Sequence, residues 1–282
     1  MAALVQNLTN AQFASKVDRN TARSETVERQ ISAASALKSS LLQLSSSIGD
    51  RVRAGDLSSQ PTIANSAVAA VSRGTLTGRG TYSLEVTQLA ANQVLTSAPF
   101  AAATTPTGSG SLTFRFGSIA GAAFAEDLSH APASITIPSG STLVDVATAI
   151  NAANIGVSAY VASGTDGAHL MFKGKEGAAS GFVIEATETV GEEGLAALAW
   201  TPATAPAQLL STARDAAFKL DGLAMTSATN AITDLVPGLS LNLTGTNIGA
   251  PTTIRFSDPG AAVSTFMNDL VGALNELAGE LK

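Results

Sequence analysis

His130 and His169 are the only two histidines in the 282-residue chain, and there is no cysteine. Two imidazoles fall short of a multi-histidine metal site, and the missing thiols exclude disulfides, thiolate ligation and cysteine nucleophiles. His169 falls in a strand-like segment, where a surface or packing role is expected. Asp215, Asp221, Asp234 and Asp258 recur in the last third of the chain. Paired carboxylates can run acid–base chemistry, but each of these enters a turn, a cap or a strand end, where Asp is favoured for local hydrogen bonds. Gly74, Gly78 and Gly80 stand beside Arg73 and Arg79, a composition that could cradle phosphate. They precede a strand, however, whereas phosphate loops follow a strand and open a helix. Trp200, the only tryptophan, adjoins a Pro-rich stretch; core packing is its expected use, and a partner contact the sharper alternative. No reactive groups converge, so neither an enzyme, a metal site nor a cofactor is expected.

Composition points the same way. Charged residues make up 13% of the chain and the net charge is −6, against roughly 25% charged in an average globular protein. The charge therefore argues against binding that rests on phosphate neutralisation, and nucleic acid is not an expected partner. Neither a cleaved signal peptide nor an apolar run long enough to span a membrane is readable, so no membrane is expected. The low charge, abundant Ala, Ser, Thr and Gly, and absent cysteine suit a secreted surface protein. Export without a cleaved signal reconciles the two hints.

The elements that would position any site divide the chain into helical ends and a strand-rich middle. Val263, Met267, Leu270, Leu274, Leu277 and Leu281 step 4, 3, 4, 3, 4, the spacing of one apolar helix seam. Val27, Ile31, Ala34, Leu37, Leu41, Leu44 and Ile48 form a similar stripe near the start, in a stretch from Asn10 to Arg53 without Pro and without Gly before Gly49. Gly55 and the segment from Asp56 to Pro61 break that helix, and Asp258 with Pro259 caps and opens the last one. Two thin seams far apart in sequence are expected to pack on each other and to leave apolar surface for neighbouring subunits.

Between them, Tyr82, Leu84 and Val86 alternate with polar residues, as do Leu112, Phe114 and Phe116. A Thr- and Gly-rich stretch from Ala101 to Gly110 reads as a linker into a second lobe, and Pro202 to Pro206 as the linker out. Inside that lobe Thr142 and Asp145 form a capping box ahead of Leu143, Val146, Ala147 and Ile150 at helical spacing. Val157, Ala159 and Val161, then Leu170 and Phe172, then Phe182, Ile184 and Ala186, read as strands. Leu239, Leu241 and Leu243, then Ile254 and Phe256, close the β region. The expected class is α+β: a discontinuous, coiled-coil-like helical stalk from residues 1–62 and 258–282, a β-rich head domain from 66–100 and 205–257, and a second, inserted head domain from 101–204.

Four ordered motifs carry a resemblance. Gly80 to Ala90 (GTYSLEVTQLA), Ser141 to Ala152 (STLVDVATAINA) followed by Gly156-Val157-Ser158-Ala159, and Ala213 to Leu243 with Asp215-Ala216, Asp221-Gly222, Ser227, Asn230, Asp234 and Pro237-Gly238-Leu239 are the first three. The fourth is the last helix, where Phe266 and Asn275 fit the family pattern and Met267 and Leu274 depart from it. Together they resemble the bacterial flagellar filament cap proteins, the hook-associated protein 2 family. The resemblance implies a secreted, non-enzymatic protein, exported through the flagellar type III apparatus, that forms a homo-oligomeric plate at the filament tip. It implies holding back newly exported flagellin and promoting its folding and polymerisation, with flagellin, hook–filament junction proteins and an export chaperone as partners. Adhesion to mucin or glycans through the β-rich head is the alternative. The family's opening Ser-Gly-Leu/Ile-Asp segment is absent and its continuation past Lys282 is missing, so a chain trimmed at both ends is expected.

Overall fold

In the computed structural model, which describes residues 2–54 and 58–280, the chain begins with the 53-residue helix α1 (Ala2–Ala54). Strands β1 (Pro61–Ile63), β2 (Ala69–Arg73), β3 (Thr81–Gln88), β4 (Asn92–Thr96), β5 (Gly110–Ala120), β6 (Ala123–Glu126) and β7 (Ala133–Ile137) follow. After helix α2 (Leu143–Ala153) come β8 (Ser158–Ser163), β9 (Ala168–Glu176), β10 (Gly181–Glu188) and β11 (Leu209–Ser211). The last strands are β12 (Ala216–Leu220), β13 (Leu223–Ser227), β14 (Ala231–Val236), β15 (Leu239–Leu243) and β16 (Thr252–Phe256), and the chain closes with α3 (Gly260–Glu280). The fold is α+β. It divides into a helical unit, from the two ends up to Gln60 and from Ser257, and a β unit from Pro61 to Phe256.

The β unit holds two separate apolar cores. One lobe, split in sequence, packs the antiparallel sheet β1-β16-β3-β12-β13 against the sheet β14-β15-β2. Its core is Val68, Ala69, Leu84, Val86, Phe218, Leu239, Leu241, Leu243 and Ile254. The alternation read from sequence sets the register: Leu84 faces Leu220 and Val86 faces Phe218 across β3 and β12. Asp221 and Gly222, both at positive φ, turn β12 into β13.

The inserted lobe packs the sheet β11-β4-β9-β8 and the sheet around β5, which pairs with β10, β6 and β7, together with α2. Phe114, Phe172, Phe182, Leu170, Ile150 and Trp200 lie at its centre. Trp200 is 2% exposed and its indole N–H donates to the Ala205 carbonyl at 2.8 Å.

The two stretches read as linkers belong to this lobe. Between Ala101 and Gly110, Thr107 and Ser109 are buried, and Pro106 bridges to Thr142. The segment from Pro202 to Pro206 wraps Trp200, and β11 beyond it still pairs with β4. The crossings between the lobes lie instead at Ala90–Ala91 and Ala213–Arg214, about ten residues outside the expected boundaries. There Ala91 and Arg214 exchange backbone hydrogen bonds at 2.9 and 3.0 Å. Gly and Thr richness marks tight packing here because small residues let backbone approach backbone.

Helix α2 forms as its sequence dictates. Asp145 accepts from the Thr142 N–H at 2.9 Å while the Asp145 N–H reaches the Thr142 hydroxyl at 3.4 Å, closing the capping box. The Thr142 N–H, and next its hydroxyl, hold the Asp145 carboxyl below the usual carboxylate range. Leu143, Val146, Ala147 and Ile150 are buried, and Asn154 ends the helix in the left-handed conformation.

Candidate functional site

The groups that could have carried chemistry are all engaged in structure. The His169 Nδ1 lies 3.0 Å from the Ser97 carbonyl and its Nε2 lies 2.8 Å from Asp166 Oδ1. Two acceptors on one ring call for a proton on each nitrogen, and first Asp166, then the Ser97 carbonyl, raise the His169 pKa. The His130 ring stacks on Phe116 with centroids 4.2 Å apart. Among the described residues no three His, Asp or Glu side chains gather as metal ligands.

The four aspartates do more than close local turns. Asp258 accepts from the Gly260 N–H at 2.9 Å, as a cap should. Asp221 instead takes the Ser83 N–H at 2.7 Å, Asp234 the Thr75 N–H at 2.8 Å and hydroxyl at 3.1 Å, and Asp215 the Ala178 N–H at 2.7 Å. Each of those three sews its turn to a segment distant in sequence. Gly78 has a packing reason to be glycine, since a Cβ there would collide with the Phe256 ring.

Helix α3 starts beside the end of α1, where the Ser59 hydroxyl donates to the Ser257 carbonyl at 2.8 Å and the Ser257 N–H to the Gln60 carbonyl at 2.8 Å. It runs back antiparallel along α1. A shallow groove between them is lined by Ser40, Gln43, Leu44 and Ser47 from α1 and by Phe266, Asp269, Leu270 and Ala273 from α3. Arg51 pairs with Asp269 at 3.3 Å, a solvated ion pair of about 0–1 kcal/mol.

The half-buried positions define the seams that meet: Leu37, Ser40, Leu44, Ile48 and Arg51 on α1, and Ala262, Phe266, Leu270 and Ala273 on α3. Leu37, Leu44, Ile48 and Leu270 of the expected stripe are thus brought together. Val27, Ile31, Ala34, Leu41, Val263, Met267 and Leu274 are exposed, while the Leu277 side chain and all of Leu281 lie outside the described residues.

On α3 the seam turned towards α1 sits one residue behind the expected one. The helix is apolar on two adjacent faces: Phe266 takes the contact, and Val263, Met267, Val271 and Leu274 stay 38–50% exposed. The 4, 4, 3 step of Ala262, Phe266, Leu270 and Ala273 is the sequence signal that would have found it.

Near the contact between the helices, some of the open residues share one side. At 100° per residue, Leu41 and Val52 lie roughly a quarter turn past the contact seam of α1, and Val263, Met267 and Leu274 lie the same amount past that of α3. In an antiparallel pair, rotations of the same sense carry both sets to the same side. Towards its N-terminus α1 carries further open apolar residues, Phe13, Val17, Val27 and Ile31, 44–60% exposed. Every residue from 11 to 35 is exposed.

The Ile-Asn pair that ends α2 has a physical explanation. Ile150 is fully buried, and the Asn151 side chain accepts from the Ala159 N–H at 2.9 Å and donates to the Ala159 carbonyl at 2.8 Å. One side chain thereby docks the helix onto β8, as only a primary amide with both a donor and an acceptor can.

The β unit closes its own cores, and the helix pair leaves apolar side chains open. Sequence profiles of the flagellar hook-associated protein 2 N-terminus and C-terminus match residues 1–93 and 213–282, and a profile of the flagellin hook IN motif matches residues 124–176. The chain belongs to the flagellar hook-associated protein 2 family.

The A-type flagellar hook-associated protein 2 of Pseudomonas aeruginosa is 29% identical over 71% of this chain and 43% of its own length. The B-type protein of strain PAO1 is 26% identical over 97% of this chain and 59% of its own. The chain therefore spans about half the length of the curated relatives it matches. The crystal structure of FliD (HAP2) from P. aeruginosa PAO1 superposes with a TM-score of 0.61 at 26% identity, covering 75% of this chain and 94% of that one. The D1-D2-D3 domains of the flagellar cap protein FliD from Escherichia coli share the fold, with a TM-score of 0.61 at 23% identity over 86% of this chain and 70% of that one. None of these relatives is named as an adhesin.

Proposed function

We propose that this chain is the core of a filament cap, a non-enzymatic protein at the distal end of the bacterial flagellar filament whose helical unit contacts the filament. It retains exported flagellin and promotes its folding and polymerisation. The observation that supports this reading is the row of open apolar side chains on α1 and α3, in a family whose relatives include a solved flagellar cap protein. Contiguous exposed apolar surface is rare on a monomer that needs no partner. Neighbouring copies and flagellin are the partners that this face serves. In the full-length protein, hook–filament junction proteins and an export chaperone join them, export proceeds through the type III apparatus, and the β unit supplies the plate.

The test is complementation. A strain lacking the gene sheds monomeric flagellin into the medium, and full-length wild-type protein restores filaments. The full-length protein carrying Val27→Asp, Ile31→Asp and Met267→Asp is expected to be exported yet to leave flagellin shedding at the level of the deletion. Filaments of normal length and number with that variant would overturn the assignment of the face.

A further inference from the structure

The two lobes of the β unit are joined by two adjacent crossings, and one side chain ties them together with every polar atom it has. The Asn230 Oδ1 accepts from the Ala90 N–H at 2.9 Å, and its Nδ2 donates to the Ala90 carbonyl at 3.0 Å and to Glu176 Oε1 at 3.0 Å. Its own N–H donates to Glu176 Oε2 at 3.1 Å, and its carbonyl accepts from Leu243 at 2.9 Å. Asn230 belongs to the split lobe, at the start of β14. Glu176 ends β9 in the inserted lobe, and Ala90 is the crossing itself.

A second tie lies close by. Asp215, at the other crossing, takes the Ala178 N–H of the inserted lobe at 2.7 Å, and its own carbonyl accepts from Gln88 Nε2 at 2.7 Å. Gly177, between Glu176 and Ala178, passes so near Ala228 that a Cβ would stand 3.0 Å from that residue's Cβ.

We propose that Asn230 and Glu176, backed by Asp215, are a latch that fixes the angle between the two lobes, and that releasing it lets the inserted lobe swing as a rigid body about the paired crossings at Ala91 and Arg214. The argument is one of layout. Each lobe closes its own core, so no core side chain spans the neck and sets the angle. A two-strand neck is soft to bending, because bending it breaks no ladder inside either lobe. A carboxylate that accepts two hydrogen bonds from one asparagine is directional, and it is stronger than a neutral pair. A plate built from such lobes presents its inserted lobe at a set angle with the latch closed and over a range of angles with it open.

The absence of cysteine makes the test clean. Leu223→Cys in the split lobe and Val190→Cys in the inserted lobe replace exposed residues and accept nitroxide labels in the full chain. Pulsed electron resonance is expected to give one narrow distance distribution. Adding Asn230→Asp preserves shape but removes both hydrogen bonds donated by the side-chain amide, setting a second carboxylate against Glu176 and an oxygen against the Ala90 carbonyl. It is expected to widen the distribution at least about twofold, and Glu176→Ala to do the same. Asp215→Asn, which keeps an acceptor oxygen, is expected to widen it less.

Trp200 supplies the internal control, because its emission reports an intact inserted-lobe core. A distribution of unchanged width in both Asn230→Asp and Glu176→Ala would overturn the latch. So would widening accompanied by a red-shifted Trp200, which would mean that the lobe had unravelled rather than swung. Neither outcome bears on the apolar helix face, whose test reads shed flagellin.

Discussion

The β unit and the helical unit use the same apolar residue types to opposite ends. In the β unit Leu84, Leu95, Leu112, Phe114, Leu170 and Ile254 are fully buried, and the sheets leave few large side chains open. In the helical unit Val17, Ile31, Leu41, Met267 and Leu274 are 48–60% exposed. Burying a Leu or Phe side chain is worth roughly 1.5–3 kcal/mol, so the β unit collects that energy on folding and the exposed helical side chains do not. A helix gains most of its stability from packing rather than from propensity. One unit buries its apolar side chains within itself, and the other leaves many of them open.

The largest effects should fall where the contrast is sharpest. Phe114→Ala removes a ring that packs against Phe172 and Phe182, with centroids 6.3 and 6.1 Å away. It should cost about 3–5 kcal/mol in urea unfolding followed by Trp200 emission. Ile31→Ala on the open face should shift stability by less than about 0.5 kcal/mol, with Ala the better helix former offsetting any loss. A loss for Ile31→Ala approaching that of Phe114→Ala would show the face to be closed in solution, and the contrast would collapse.

The same contrast decides what could be read from sequence. The start and buried face of helix α2 were legible because its capping box and its i, i+3, i+4, i+7 stripe are local, whereas its left-handed stop at Asn154 was not read. The strands with strict alternation, β3, β5, β9 and β15, were legible because one face is buried against a core. Strands β1, β2, β13 and β14 were not, being short or exposed, with burial that does not alternate cleanly.

On α3 the periodicity gave a helix but not the face turned towards α1, because two adjacent faces are apolar and sequence has no term for where the neighbour stands. The latch was invisible for a related reason. Asn230, Asp215 and Glu176 look like turn and strand-end residues, and only their partners, 37 to 140 residues away, distinguish them.

A middle-sized effect belongs to the joint between α2 and β8. Asn151→Ala leaves both the Ala159 N–H and its carbonyl without their partners at a part-buried site. That should lower inserted-lobe stability by about 1–3 kcal/mol. Thr142→Ala removes the cap, and its cost should be nearer 1 kcal/mol. Both should move the Trp200 transition and leave helical signal from the chain ends in place. Equal costs for the two would mean that Asn151 contributes a cap-like local bond rather than docking the helix.

The smallest effect is a pH dependence confined to the β unit. His169 gains its proton's stabilisation from Asp166 first and from the Ser97 carbonyl second, so its folded pKa stands above the ordinary value. Its contribution is fully present below about pH 6.5, the unfolded value, and is lost as pH rises through the raised folded pKa. Asp166 runs the other way: held below the usual carboxylate range chiefly by His169, it contributes above its unfolded pKa and loses that contribution as pH falls through the lowered one. The inserted lobe should therefore be steadiest between the two limits and soften on the alkaline side. The urea midpoint read by Trp200 should fall as pH rises above about 6.5 in the wild type and stay flatter in His169→Gln. The helical unit has no such pair among its described residues, so its ellipticity should not track that midpoint. Parallel slopes in the wild type and His169→Gln would place the titrating group elsewhere and remove this difference between the two units.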